Sequence, residues 1–262
     1  MITGSVSRPA YSPLAKALNA VYHGGALYGE LEPLIEALFG NGEAGAMYIP
    51  KPQVLGQQVL YQDAAGTVPV VADGDPAGLM LDVSGNDNHA SQSTSAARPL
   101  YRTDGVRHWL EGDGVDDYMI AASLFLPQPY GLSIAFNEPS GTRFLLDGAT
   151  GNNDGSIATV SGLRFYVGTG GIANSGYVLN TNAVATALAN TGESYLRVDG
   201  VQSDGSVGSA ALDGLVIGAT GGTKSINFTN NIYGIAYREG GFGSSVLSDT
   251  EAYLAKLAGV TL

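Results

Sequence analysis

Between residues 81 and 119 the chain alternates clusters of Asn, Asp, Ser and Gly with short apolar runs: Leu81-Asp-Val-Ser-Gly-Asn-Asp-Asn-His89, Val106-Arg-His-Trp-Leu110 and Asp113-Gly-Val-Asp-Asp-Tyr-Met119. Asn, Asp and Gly tolerate left-handed backbone, and Asn and Asp side chains bond nearby amides, so each cluster reads as a turn. The apolar runs between them are too short for helices and suit strands. The pattern continues through Leu132–Phe136, Arg143–Leu146, Leu163–Val167, Val184–Leu188, Tyr195–Val198, Leu215–Ile217 and Ile232–Tyr237, with Arg107–Leu110 and Asp117–Ala121 as the earlier candidates. Many short strands separated by Gly, Asn or Asp turns predict a mainly β chain folded as an antiparallel jelly-roll sandwich.

Residues 1–45 follow a different period. Ser12 and Pro13 suit a helix start, Leu14, Leu18, Val21 and Tyr22 recur at helical spacing, and Gly24-Gly25 stops the run. A second helix is expected through Leu31, Leu34, Ile35, Leu38 and Phe39, with Pro33 in its first turn and Gly40 or Gly42 at its end. Short amphipathic helices are marginal alone, so these nine apolar residues must pack on something. Two partners are open, the chain's own sandwich or another subunit, and the expectation carried forward is an assembly interface. A last helix is expected from the capping box Ser248-Asp-Thr-Glu251, through Tyr253, Leu254 and Leu257, to Gly259. The expected organisation is thus a helical docking segment over 1–45, an extended lead-in over 46–78 and the sandwich over 79–262.

Composition narrows the partners. Among 262 residues, 24 acidic against 12 basic side chains give a net charge of -12, and the eight Arg and four Lys are dispersed. A phosphate backbone would be repelled, so nucleic acid is not an expected partner. No apolar run approaches the roughly 20 residues of a membrane helix. The N-terminal Met1–Arg8 lacks the apolar stretch of a secretion signal, so assembly in a cytoplasm is expected. The absence of cysteine removes disulfides, thiolate metal sites and cysteine nucleophiles.

Candidate chemistry is sparse. Gly218–Ser225 resembles a phosphate-binding loop, but Thr223 stands where glycine must precede Lys224 and a strand pattern follows, so a glycine-rich hairpin turn is expected. Asp113, Asp116 and Asp117 can offer oxygen ligands to Ca²⁺, or hold the turn through backbone amides, which is the expected role; no other cofactor is expected. His23, His89 and His108 have no metal-ligand spacing, and His89 reads as a hydrogen-bonding loop residue. Glycosidases need two carboxyl groups about 5–10 Å apart, and Glu111 with Asp113 is the nearest approach in sequence, set in a turn. Trp109, Tyr118, Tyr166, Tyr177, Tyr195 and Tyr237 could stack on sugars, but their alternation with apolar residues favours core packing.

The runs Leu81–Ala90 and Glu111–Tyr118, together with Ser194–Gly200, Leu215–Gly218, Ile232–Ala236 and Ser248–Glu251, resemble the concanavalin-A-like, laminin-G-like jelly-roll family over residues 79–262. The match departs at Glu111, where an aromatic or apolar residue is more usual. Upstream, Leu38–Met47, Leu60–Val70 and Asp73–Met80 resemble a lead-in segment of tailed-bacteriophage structural proteins that carry this domain. The resemblance implies a non-enzymatic virion protein, either a tail-fibre or tail-associated component or a capsid-surface decoration. It would be assembled with other virion proteins, as a homo-oligomer with a trimer favoured. The alternative is a carbohydrate-binding module that recognises a host-surface glycan.

Overall fold

The computed structural model describes residues 26–139, 141–229 and 231–262. Two antiparallel sheets face one another. One contains eight strands: β1 (Gly45–Tyr48), β7 (Leu100–Thr103), β8 (His108–Glu111), β10 (Tyr130–Asn137), β15 (Ala183–Ala189), β16 (Ser194–Val198), β17 (Val201–Gly205) and β19 (Asn231–Glu239). The other contains nine: β4 (Leu60–Tyr61), β5 (Leu79–Met80), β6 (Ala90–Ser91), β9 (Met119–Leu126), β11 (Arg143–Gly148), β12 (Asp154–Thr159), β13 (Leu163–Val167), β14 (Gly170–Asn174) and β18 (Leu212–Ile217). β2 (Gln53–Val54) and β3 (Gln57–Gln58) form a separate small hairpin. The mainly β sandwich expected from the turn rhythm is what the chain forms.

The eight-stranded sheet runs β17-β16-β15-β10-β19-β8-β7. β1 joins it along the edge of β19 that β8 also uses, pairing Tyr48 with Ile235 while Ile232 pairs with Leu110. The nine-stranded sheet runs β14-β13-β12-β11-β18-β9-β6-β5-β4. Alternate side chains from both sheets fill the space between them, among them Tyr48, Leu110, Leu132, Ile134, Phe136, Leu146, Ile157, Phe165, Leu196, Ile217 and Ile235.

Two helices, α1 (Ala26–Phe39) and α2 (Ser244–Ala258), cover the opposite face of the eight-stranded sheet. Leu31, Leu34, Leu38 and Phe39 pack with Met47, Ala236 and Tyr253, while Leu254 and Ala258 pack with Ala135, Val184 and Tyr233. β10 is consequently buried along its whole length, because one face meets the sandwich core and the other meets helix.

This packing corrects the assembly-interface expectation for the second helix. Leu31, Leu34, Leu38 and Phe39 are buried by the chain's own sheet, with Ile35 packed at the margin, because the otherwise open face of β1 and β19 offers them apolar surface. Leu14, Leu18, Val21 and Tyr22, with His23, lie outside the described residues. The extended lead-in is corrected as well: within 46–78, Ala46–Tyr48 of β1 enters one sheet and β4 the other, so this stretch belongs to the sandwich.

The last helix begins at Ser244 after Gly243, one turn before the capping box. Ser248 lies inside it, with its hydroxyl bonded to the Ser244 carbonyl, and Glu251 turns to another partner. Its end is as expected, with Gly259 in left-handed backbone and the Val260 amide bonded to the Ala255 carbonyl.

Candidate functional site

A groove with a cavity volume of about 620 Å³ opens at the β16–β17 edge of the eight-stranded sheet, lined by Leu188, Glu193, Tyr195, Gln202, Asp204 and neighbouring small residues. Strand alternation explains its makeup. Leu196 and Val198 point into the core, so Tyr195 and Arg197 project from the helix-covered face, with Arg197 against the margin of α2. Tyr195 stands opposite Asp204, and Arg197 opposite Gln202, across the β16–β17 hairpin. A 3₁₀ turn at Thr191–Glu193 brings the exposed Glu193 to the rim.

A chain of hydrogen bonds orients these groups. Glu251, 5% exposed on α2, accepts from Arg197 Nε at 2.8 Å and Nη2 at 3.1 Å. Arg197 Nη1 donates to Gln202 Oε1 at 3.2 Å, and Gln202 Nε2 donates to Asp204 Oδ1 at 2.5 Å. The Glu251 hydrogen bonds hold the guanidinium charged still more firmly, against the opposing effect of burial. Burial raises the Tyr195 hydroxyl above its ordinary pKa, so it is protonated at neutral pH and can donate. The groove thus presents an aromatic ring, two carboxylates and an amide.

Of the aromatics weighed in the sequence, Tyr177 and Tyr237 are buried, and Trp109, Tyr118, Tyr166 and Tyr195 are half-buried. Phe125 is not among the aromatics that the sequence pattern singles out. At 57% it is the exposed ring among the aromatics whose burial is described, and it stands beside Asp213 on the solvent side of β9 and β18. Three residues of β9 oppose the single Gly214 next to this pair, and the resulting bulge re-aims the strand.

The acidic cluster is assembled as its spacing suggested. Carboxylate oxygens of Asp113, Asp116 and Asp117 lie within 4.8 Å of one another, an arrangement able to offer ligands to a hard cation. Asp113 Oδ1 accepts from the Val115 amide at 2.7 Å, and Asp117 Oδ2 accepts from the Asp113 amide at 3.0 Å, so both carboxylates also hold the turn. Burial, with the charges of Asp113 and then Asp116, pushes the Asp117 carboxyl up to about 6. Glu111 is drawn instead to Arg102, 3.3 Å away, so Glu111 and Asp113 are separately engaged.

The two described histidines, His89 and His108, have structural partners. His89 Nδ1 accepts from the Asp82 amide at 3.1 Å, as its loop position suggested. His108 lies 2.7 Å from the Tyr101 hydroxyl, and burial, helped by Lys51, lowers its pKa to about 4. At Gly218–Ser225 the rejection of a phosphate loop stands, but the expected hairpin is corrected: β18 precedes this segment in one sheet and β19 follows it in the other, so it is a crossing between sheets. Lys224 Nζ donates to the carbonyls of Ala149, at 3.1 Å, and Gly221.

No family model matches this chain, and no curated protein does. Solved structures do share its fold. Trypanosoma rangeli sialidase in complex with sialic acid is 12% identical, with a TM-score of 0.53 over 90% of this chain and 39% of that one. An arabinofuranosidase complexed with arabinofuranosyl-alpha-1,2-xylobiose is 12% identical, with a TM-score of 0.51 over 70% of this chain and 51% of that one. The chain therefore spans about two fifths to one half of the length of these proteins, and the likeness is one of fold. It corrects the expectation of a non-enzymatic protein: these two structures sharing the sandwich come from glycosidases, so the fold gives no ground for excluding catalysis.

Proposed function

We propose that this chain is a carbohydrate-recognition β-sandwich that binds glycan in the β16–β17 groove. The observation that carries the reading is the Tyr195 ring set beside Glu193, Gln202 and Asp204 along one open groove. A sugar has an apolar C–H face and a rim of hydroxyl groups. An aromatic ring with a polar tip matches the face, and carboxylate and amide oxygens accept from the rim. The arm from Glu251 through Arg197 and Gln202 to Asp204 fixes an acceptor before ligand arrives, reducing the ordering cost of binding. The named sugar ligands, an acidic one for the sialidase and a neutral one for the arabinofuranosidase, support carbohydrate as the class of partner and favour neither charge.

Glycan-array screening followed by calorimetry on the best ligand tests this. Tyr195→Ala should weaken binding by at least about tenfold, the loss of one good stacking contact. A silent array, or binding indifferent to Tyr195→Ala, would remove the reading. The same glycans should be assayed for hydrolysis with the parent chain, Glu193→Gln and Asp204→Asn, since both carboxyl groups line one groove.

The setting proposed for this module is the surface of a tailed-phage particle, supported by the sequence resemblance over residues 38–262. Since α1 spends its apolar stripe inside the chain, attachment to other virion proteins or to further copies would use another surface. Immunogold labelling of purified particles checks this setting, and particles lacking the protein would exclude it.

A further inference from the structure

We infer that the β16–β17 groove selects glycans without negative charge, taking neutral and amine-bearing chains and excluding carboxylated ones; this rests on the groove being the glycan site. Its lining holds the carboxylates Glu193 and Asp204 and, among the described residues, neither Lys nor Arg. The nearest cation on β16 is Arg197, whose Nε and Nη2 are bonded to Glu251 and whose Nη1 is bonded to Gln202. Glu251 is itself 5% exposed, so releasing Arg197 to meet an acidic sugar would leave a buried carboxylate without its charge partner.

The rest of the surface adds to the selection. A net charge of -12 surrounds the groove with a field that disfavours anions. A sugar hydroxyl donates to Asp204 or Glu193 without charge conflict, and a protonated sugar amine does so with charge assistance. A sugar carboxylate brings only acceptors and a third like charge.

The test uses the full chain and an array on which each oligosaccharide core is present in neutral, free-amine and carboxylated (sialylated or uronate) forms. Neutral or amine forms should bind at least about tenfold better than the carboxylated form of the same core at 0.1 M salt. That margin should shrink at 1 M salt, where the screening length falls from about 10 Å to about 3 Å. The double variant Glu193→Gln, Asp204→Asn, altered at two exposed positions, should bring the margin to within about threefold. Equal or better binding of carboxylated forms, with Tyr195→Ala still abolishing it, would overturn the selectivity and leave the groove as the glycan site. Binding to none of the forms, or binding indifferent to Tyr195→Ala, would overturn both.

Discussion

Arg197 on β16 and Glu251 on α2 meet through two parallel hydrogen bonds, 2.8 and 3.1 Å long, and this pair ties the C-terminal helix to the sheet edge that carries the groove. Arg197 is 22% and Glu251 7% exposed at the side chain, so the geometry is bidentate and largely shielded from water. Glu251→Ala should lower unfolding stability by about 1–3 kcal/mol, since a shielded guanidinium then loses its partner. It should also weaken glycan binding through the loosened Gln202 and Asp204. Denaturant titration and calorimetry on the same variant check both effects.

Leu38 is fully buried between α1 and the sheet. Leu38→Ala should cost about 2–4 kcal/mol in the isolated chain, as for other buried leucines. A change near zero in urea unfolding would return this helix to the role of a surface awaiting a partner.

The turn at Asp117 makes stability depend on pH. Its folded pKa of about 6 stands above the ordinary 3.8, so the folded state holds the proton more tightly. This contribution is fully present below 3.8 and is lost as pH rises through about 6. Asp117→Asn should therefore stabilise the chain at pH 7 by about 1–2 kcal/mol, a figure reduced by the solvent that screens Asp113 and Asp116. Thermal melts from pH 4 to 7.5 should show a smaller decline for the variant than for the parent.

Asp147 is buried and clasps two loops. It accepts from the amides of Gly148, Asn153, Asp154 and Gly221 and from the Ser156 hydroxyl. A Cβ at Gly221 would collide with the carbonyl oxygens of Gly148 and Gly151, so the loop reaches the carboxylate only as glycine. Gly221→Ala should cost about 3 kcal/mol through overpacking and a lost hydrogen bond. Faster hydrogen exchange at the Asn153 and Asp154 amides would accompany the loss.

Where strands carry strong apolar side chains, local pattern matched tertiary structure. Leu163–Val167 is β13 with the same bounds, because its alternation has one face in the core whatever its neighbours do. The apolar pattern does not mark β12, β14 and β17: Asp154–Thr159, Gly170–Asn174 and Val201–Gly205 are rich in Gly, Ser, Asn and Asp, and their strand state comes from pairing with β11, β13 and β16. The same is true of the groove. Tyr195 was legible as a strand residue, but whether its ring met core or solvent depended on its register with Asp204 and on how far α2 reached.

The block at Leu81–His89 shows the division most clearly. Its composition by itself determined a polar turn, since Asp, Asn and Gly satisfy backbone amides locally. Only tertiary structure decided what the turn holds. Asp82 Oδ1 accepts from the Met47 amide at 2.8 Å as well as from Ser84, Asn86 and Asn88 donate to the Gly45 carbonyl, and the Tyr48 hydroxyl bonds the Asn88 carbonyl. Apart from the local Ser84 bond, these contacts span 35 to 43 residues of chain and are set by where β1 docks. Turn chemistry is local and written in a few side chains. Strand neighbours, the helix-covered face and the groove depend on register and long-range burial, which no short stretch of sequence contains.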